Sequence, residues 1–324
     1  MCGLANFRHE RYMNTMNLTI TRSGAALALI ATAAVWGVSF PAVQYALKAG
    51  IDVGLFMSLR FAIAAAGLGA ICVLARSRFS RRLILDSAAL GVMNFVAFWL
   101  QTDGLRFTTN AKAAFLTSLY VLITPLVAFC LGDRLRRSEF LAVPAAVLGL
   151  LGLFWNGGDP LGAWTRGDTE MLGCAFLFAG MILSIDRLSR RHDVLAMSFI
   201  QIAVMAALST ALLILSPPPD LAAAMKIAVE PGVILSLVFN GLIATALAFW
   251  VQCVTQTQLG ATEAAILLSL EPLFATLLAV SGWVPGIHET MTLIQWAGGA
   301  LLLLASFIAG GGGAGSEKAA AGKG

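Results

Sequence analysis

The sequence predicts an all-α integral membrane protein with ten transmembrane helices, arranged as two inverted repeats of five helices. Three observations lead to this fold class: the composition, an internal repeat, and the distribution of Lys and Arg among the loops. Of the 324 residues, 59% are hydrophobic and only 12% are charged, whereas about a quarter of the residues of a typical soluble protein are charged. A helix needs about 20 apolar residues to cross roughly 30 Å of hydrocarbon, so the chain has room for about ten such helices and little else.

An internal repeat divides the chain into two halves. The run Phe-Trp-Leu-Gln at 98–101 recurs as Phe-Trp-Val-Gln at 249–252, and the apolar run at 113–119 is matched by a similar run at 264–270. Both pairs are separated by 151 residues. A constant register in apolar sequence indicates one structural unit present twice, which is how many secondary transporters are built. The functional site is therefore expected between the halves.

Apolar runs between charged and turn residues predict the spans in chain order. In the first half, a basic loop at 76–82 separates the second span from the third, and the basic loop at 132–137 separates the fourth from the fifth. Each run is about long enough to cross the hydrocarbon layer. The ten predicted spans are 24–47, 54–75, 83–104, 111–131, 139–156, 170–187, 194–215, 232–253, 261–283 and 291–309.

The loop charges test this count independently. With the N-terminus in the cytoplasm, the inside segments collect fifteen Lys and Arg residues, the outside segments and helix ends hold five, and Arg60 alone lies inside a span. Lys and Arg are enriched in cytoplasmic loops, so both termini are predicted to be cytoplasmic, in a bacterial inner membrane. Five spans per half is an odd number, so the second half enters from the opposite face. The halves are then related by a pseudo-two-fold axis in the membrane plane.

The predicted organisation has four parts. A cytoplasmic N-terminal segment occupies 1–22, the first repeat 23–157, the second repeat 168–309, and a disordered cytoplasmic tail 310–324. The first segment is polar and basic and lacks the apolar stretch of a signal peptide, so the first span is expected to direct the chain to the membrane. The tail is rich in Gly and Ala and cannot bury enough surface to become ordered. The five Cys residues form no close-spaced pair and predict no disulfide and no metal site.

Four motifs resemble those of the EamA-type transporters of the drug/metabolite transporter superfamily. They are Trp36-Gly37-Val38-Ser39-Phe40 in the first span, Leu59-Arg60-Phe61 in the second, the run at 113–125 followed by 132–135 around the fourth, and Ser269-Leu270-Glu271-Pro272 in the ninth. The resemblance extends from about residue 24 to residue 309. It implies ten helices, two EamA repeats, and movement of small metabolites, often amino acids and frequently outward.

Glu271 is the most costly residue for a membrane span. It lies about ten residues into the ninth span, roughly 15 Å deep, where a charge costs about 2.5 to 3.5 kcal/mol. Pro272 follows it, removes a helical hydrogen-bond donor, and is a predicted hinge. Glu271 is either a site for a substrate amine or a proton, or a structural group that positions this kink. Its counterpart in the repeat is Tyr120, 151 residues earlier, so both are expected to line one central chamber.

Arg60 lies about six residues into the second span and needs compensation for its charge. Two interpretations stay open. In the first, the guanidinium binds the carboxylate of the cargo, as a partner to Glu271 for a zwitterion. In the second, it forms a structural bond to helix-end carbonyls, to Asp103 or to Glu271.

Further polar and aromatic residues are candidates for the chamber. Trp36, Asn94 and Trp250 are expected to shape it, and the repeat-related pair Gln101 and Gln252 is expected to contribute to gating. The tryptophans fit an interfacial belt or simple packing equally. Polar side chains in spans also commonly join neighbouring helices.

Prolines inside spans predict places where the bundle bends. Pro41 and Pro125 are expected hinges together with Pro272, although packing alone also explains them. Enzymatic motifs are missing: the sequence has no phosphate-binding Gly-rich loop before a Lys-Ser/Thr pair and no paired-His helix. We therefore expect no catalytic residue, no metal site and no cofactor.

These observations favour a secondary transporter in which two repeats enclose a central site and open alternately to the two sides. The expected partners are a small, zwitterionic substrate and the lipid bilayer. Nucleic acid is not expected, because the basic residues lie in short loops and form no extended basic surface. The sequence leaves open whether the chain acts alone or as a homodimer. A membrane-embedded enzyme and a non-transporting membrane scaffold are the alternatives.

Overall fold

The structure is a computed structural model that describes residues 20–155, 163–281 and 291–311. Throughout these ranges the chain forms helices joined by turns. Nearly all of the predicted N-terminal segment and tail lie outside the described residues, as do 156–162 and 282–290 in two predicted outside loops.

In the first half, residues 20–155 contain six helices. Polar side chains begin several of them: Thr21, Asp52, Ser80 and Thr109 each accept a hydrogen bond from a backbone N–H of the first turn, which satisfies one of the donors left free at a helix start. The helices are α1 (Arg22–Lys48), α2 (Val53–Leu74), α3 (Arg81–Gly104), α4 (Asn110–Ser118), α5 (Tyr120–Cys130) and α6 (Arg137–Leu153).

In the second half, residues 163–281 and 291–311 contain eight α-helices and one π-helical segment. A short helix, α9, lies in the connection between the predicted seventh and eighth spans. The elements are α7 (Arg166–Ser189), α8 (Val194–Leu215), α9 (Leu221–Ala228), α10 (Pro231–Val238), the π-helix Phe239–Leu247, α11 (Ala248–Thr255), α12 (Ala261–Leu268), α13 (Glu271–Val280) and α14 (Leu293–Gly311).

Among the described residues, nine helical stretches are long and apolar enough to cross a membrane. They coincide with the predicted spans one to four and six to ten, so the chain is a multi-pass helical membrane protein. The fifth predicted span corresponds to α6, which has 17 residues and a length of about 26 Å at 1.5 Å per residue. Its crossing, and with it the count of ten and the inversion of the second half, stays a prediction.

The helix boundaries repeat with the offset of the sequence motifs. Three boundaries of the first half recur 151 residues later in the second. Backbone conformation is thus duplicated together with the apolar sequence. The pairs are the ends of α3 and α11 (Gly104 and Thr255), the starts of α4 and α12 (Asn110 and Ala261), and the starts of α5 and α13 (Tyr120 and Glu271).

The fourth and ninth spans are both interrupted in the middle. Leu119 N–H donates to the carbonyl of Leu116 at 3.3 Å, and the equivalent Leu270 N–H donates to that of Leu267 at the same distance. These tighter turns end α4 and α12 just before Tyr120 and Glu271. Both residues therefore begin a new helical segment deep inside the bundle.

The two halves pack into each other instead of forming separate bundles. α2 packs along α8, α3 packs along α7 and α8, α6 packs along α14, and α1 packs against the π-helix, α11 and α13. Replacing each span by its equivalent in the other half reproduces this set of contacts. For example, the contacts of the third span with the sixth and seventh correspond to contacts of the eighth span with the first and second. This exchange is the pattern expected of a pseudo-two-fold axis between the halves.

Candidate functional site

A cavity lies between the two halves, at the interruptions of the fourth and ninth spans. The empty space inside it is about 430 Å³, a volume that includes open solvent at its mouth. Residues of both repeats line it. They are Trp36, Ser39, Phe40, Arg60, Phe98, Gln101, Tyr120, Phe178, Met181, Ile182, Phe249, Leu268 and Glu271.

Aromatic rings form much of the wall. Phe98 and Phe249 are equivalent in the repeat, and their ring centroids are 5.7 Å apart. Residues related by a two-fold axis can touch only close to that axis, so the cavity lies close to the expected pseudo-two-fold axis between the repeats. Phe178 extends the cluster, 5.5 Å from Phe98 and 6.5 Å from Tyr120, and Trp36 is 6.0 Å from Phe249.

Arg60 lies on α2 with only 2% of its surface exposed. Its Nε donates to Thr245 Oγ1 at 2.9 Å, and its Cζ lies 4.9 Å from the centroid of the Phe98 ring. Neither contact supplies a negative charge, although the ring face attracts the cation. The expected pairing with Asp103 is not formed, because that carboxylate binds Arg106 at 2.9 Å and Arg166 at 2.6 Å.

Glu271 faces the same cavity from the start of α13 and is 7% exposed. Among the ion pairs of the described residues, none joins it to Arg60 or to another cation. Gly37 allows α1 to pack directly on this turn, since an added Cβ would lie 2.7 Å from the Glu271 carbonyl oxygen. Tyr120 is buried beside it, and its hydroxyl has no hydrogen-bond partner of normal geometry in the described chain.

The π-helix supplies hydrogen-bond partners for three side chains that line the cavity. Trp36 Nε1 donates to the carbonyl of Ala244 at 2.8 Å, Thr245 accepts from Arg60, and Ser39 Oγ donates to Asn240 Oδ1 at 3.1 Å. Segments of π-helix are rare and frequently lie at functional sites. This one fixes the α1 and α2 side chains that line the cavity.

Five of the predicted chamber and gating residues line the cavity: Glu271, Arg60, Tyr120, Trp36 and Gln101. The structure brings them together from five different helices. The cavity thus combines one buried cation, one buried carboxyl group and several aromatic rings.

The other three predicted residues lie away from the cavity lining. Asn94 Nδ2 donates to Gln201 Oε1 at 2.9 Å and joins α3 to α8, as the alternative interpretation of polar residues in spans anticipated. Trp250 is half-buried and packs against the hydrophobic core. Gln252 is fully buried, and neither polar atom of its side chain has a hydrogen-bond partner in the described chain.

The three predicted hinges occupy different positions. Pro41 lies inside the continuous helix α1, and Pro125 lies inside α5. Pro272 is the second residue of α13, directly after the interruption, where its missing N–H costs no hydrogen bond. Of the three prolines, Pro272 alone marks a break of the described backbone.

Sequence reasoning did not select several residues of the cavity. Phe98 and Phe249 belong to the repeated run that revealed the duplication, and this recurrence was the available signal. Phe178 had no comparable signal, because it lies in an apolar stretch without a recurring motif. Among the described residues, no three His, Cys, Asp or Glu side chains are placed to hold a metal ion.

Comparisons with known proteins place the chain among membrane transporters. The model of the EamA-like transporter family matches twice, at residues 23–155 and 165–311. An uncharacterized transporter of Archaeoglobus fulgidus is 30% identical over 283 residues, which cover 87% of this chain and 84% of that protein. A solved crystal structure superposes with a TM-score of 0.69 at 20% identity and covers 89% of this chain and 99% of its own. This last similarity concerns the fold alone.

Proposed function

Since the chain belongs to the EamA-like transporter family, we propose that it is a secondary transporter that exports small zwitterionic metabolites such as amino acids. The central cavity is the cargo site, and two inverted five-helix repeats open it alternately to the two sides. A gradient of the cargo or of an ion drives the movement. The membrane is the bacterial inner membrane, with both termini in the cytoplasm. Transport is favoured over a membrane-embedded enzyme because members of a transporter family are usually non-enzymatic, and over a scaffold because both comparisons are with transporters.

One observation carries this proposal: Arg60 and Glu271 face the same cavity without an ion pair between them. Ionisable groups inside a membrane span normally face a partner or a water-filled cavity and mark a substrate or ion pathway. A zwitterion supplies a carboxylate for Arg60 and an ammonium group for Glu271. Binding then replaces two uncompensated groups by two ion pairs.

The remaining lining residues fit the body of such a cargo. Tyr120 offers a hydroxyl that has no hydrogen-bond partner of normal geometry among the described residues, and Gln101 offers an amide from the lining. Phe98, Phe178 and Phe249 present ring faces to a small apolar side chain. Trp36 is held by its bond to Ala244 and so forms a fixed wall. Export, as opposed to import, follows from the family resemblance.

The test is flux through proteoliposomes, with three forms of each candidate amino acid. The free zwitterion carries both charges, its methyl ester lacks the carboxylate, and its N-acetyl form lacks the ammonium group. We expect the wild type to carry the zwitterion and reject both derivatives. Arg60→Gln should reduce zwitterion flux at least tenfold and abolish the discrimination against the ester. Glu271→Gln should also reduce zwitterion flux at least tenfold, and it should abolish the discrimination against the N-acetyl form.

Arg106→Gln and Glu230→Gln are the matched controls, because both side chains lie at helix ends on the surface. They should leave flux and selectivity unchanged. Full zwitterion flux in both cavity variants would remove Arg60 and Glu271 from the site. Flux of uncharged metabolites, with none of amino acids, would overturn the proposed substrate class.

A further inference from the structure

A buried ion-pair network lies at the predicted outer end of the fourth span. Asp168, in the first turn of α7, accepts from Lys112 Nζ at 2.6 Å, from Thr108 Oγ1 at 2.6 Å and from the Thr165 backbone N–H at 2.7 Å. Its carboxylate is completely shielded from solvent. Lys112 is the third residue of α4, so the network joins the starts of α4 and α7. We call Thr108, Lys112 and Asp168 the outside latch.

A second network lies at the opposite end of the molecule. Glu263, the third residue of α12, forms ion pairs with Arg22 Nη2 and with Arg136 Nη1, the latter at 3.3 Å. Its carboxylate is also completely shielded. Arg136 follows the C-terminal end of the fourth span, whereas Lys112 stands near its start, so the two networks are separated by the length of that span. We call Arg22, Arg136 and Glu263 the inside latch.

The two latches are equivalents in the repeat with exchanged charges. Lys112 and Glu263 are 151 residues apart and occupy the third position of equivalent helices. The partner of Lys112 lies in the first turn of α7, and Arg22 is the first residue of α1, so the partners begin equivalent spans too. In the outside latch the fourth span contributes the cation, and in the inside latch the ninth span contributes the anion.

Each latch is joined to the cavity by one short helix. Eight residues separate Lys112 from Tyr120 and likewise Glu263 from Glu271, a distance of about 12 Å along a helix. α4 and α12 each end at an interruption of the backbone. A short segment between a break and an ion pair can tilt as a unit, so a change at Tyr120 or Glu271 can reach the latch on its own segment.

We propose that the two latches are the gates of the transport cycle. The outside latch breaks when the cavity opens to the outside, the inside latch breaks when it opens to the cytoplasm, and both are closed in the state described. Cargo bound between Tyr120 and Glu271 acts on them through α4 and α12. The inference deepens the proposed transport function and rests on it. It adds Thr108, Lys112, Asp168, Arg22, Arg136 and Glu263 as gating residues.

Accessibility of the cavity to a thiol reagent tests this directly. The reporter is Gln101→Cys in a chain whose native cysteines are replaced by alanine, and a membrane-impermeant maleimide is added to intact cells. Asp168→Asn should raise the labelling rate at least fivefold, because it removes the charge that holds α4 to α7. Glu263→Gln should lower the rate, because it favours the state open to the cytoplasm. The exchange Lys112→Asp with Asp168→Lys should restore the original rate.

Glu170→Gln is the matched control, since it removes a carboxylate from the same helix whose ion pair, with Arg166 one turn away, lies within that helix. Its labelling rate should equal that of the parent. Thr108→Val, which removes a single hydrogen bond, covers the case that Asp168→Asn fails to reach the membrane, and about a twofold increase is expected. Equal rates in Thr108→Val, Asp168→Asn and Glu170→Gln, or a charge exchange that inserts but does not restore the rate, would overturn the latches.

The labelling needs no cargo, so the two proposals fail separately. If labelling is altered in the latch variants but no metabolite passes through the wild type, the proposal for the gates stands and the proposed substrate class fails. If amino acids pass but labelling is unaltered in the latch variants, the proposed substrate class stands and the proposal for the gates fails.

Discussion

At the scale of single residues, Arg60 is held in place by contacts that leave its charge available. The Thr245 hydroxyl accepts from Nε, and Arg60 lines the cavity without an ion pair to a carboxylate of the described residues. A hydrogen bond to a charged group contributes about 1.5 to 3 kcal/mol. We expect Thr245→Val to raise the KM for a zwitterionic cargo about tenfold, because the guanidinium loses its orientation.

Thr245→Ser keeps the hydroxyl and removes only a methyl group. It should restore a KM close to that of the wild type, whereas a purely structural role for the Thr245 side chain would impair both variants alike. The measurement is initial flux at varied cargo concentration. A valine variant with the wild-type KM would show that Thr245 does not position Arg60.

Single residues also show how much of the candidate site the sequence predicts. The cost of burying charge selected Glu271 and Arg60, and repeat arithmetic added Tyr120; all three line the cavity. Asn94 and Trp250 lie at a similar depth in their spans, on helices that border the cavity, but their side chains do not line it. Depth follows from the position in a span, whereas the direction of a side chain depends on rotation of the helix, which uniformly apolar sequence does not determine.

At the scale of helices, the approach of α1 to the Glu271 turn depends on one glycine. A Cβ at Gly37 would lie 2.7 Å from the Glu271 carbonyl oxygen and 2.9 Å from the Ala275 backbone nitrogen. Backbone atoms cannot rotate away as a flexible side chain can. We expect Gly37→Ala to force the helices apart and to cost about 1 to 3 kcal/mol, measured as a lower thermal unfolding midpoint in detergent.

Gly310→Ala is the control for this substitution, because nothing lies within 4 Å of the added Cβ. Alanine favours a helix more than glycine does, so this variant should unfold at or slightly above the parental temperature. Equal midpoints for the two variants would mean that α1 and α13 tolerate separation at this contact.

Helix interruptions were only partly predictable. Pro272 indicated a kink, and the described backbone breaks directly before it. The equivalent break at Leu119 has no adjacent proline. It follows only from the 151-residue repeat, if the repeat is extended from side chains to backbone geometry. The π-helix Phe239–Leu247 left no signal, since a change in hydrogen-bond register alters neither composition nor hydropathy. Its packing depends on Gly241, where an added Cβ would meet the Arg60 carbonyl oxygen at 3.0 Å.

At the scale of the whole molecule, the charged loops gather at two ends. Arg22 and Arg136 meet at Glu263, and Arg190 binds the carbonyls of Thr257 and Leu259 nearby. All of these positions lie on the predicted cytoplasmic side. The sequence predicts sides because loop charge depends on location, whereas the apolar spans record the duplication. The pairing of spans across the halves was beyond it, since many helix neighbours fit similar apolar faces.

The side reached by each end of α6 decides whether the second repeat is inverted. This helix has 17 residues, about 26 Å, slightly less than the roughly 30 Å of hydrocarbon, and Arg136 and Arg137 at its start can extend the reach by snorkelling. α6 also packs closely on α14, since a Cβ at Gly149 would lie 2.9 Å from the Gly298 carbonyl oxygen. Both features predict a full crossing.

Cysteines placed on either side of α6 test this crossing. In a chain without native cysteines, Arg134→Cys precedes α6 and Ala163→Cys follows it, and both positions are exposed. An impermeant maleimide should label Ala163→Cys in intact cells and Arg134→Cys only after permeabilisation. Arg191→Cys should behave as Arg134→Cys does, because the sixth span returns the chain to the cytoplasm. Labelling of both flanking positions from the same side would leave α6 short of a crossing, and the two halves would then enter the membrane in the same direction.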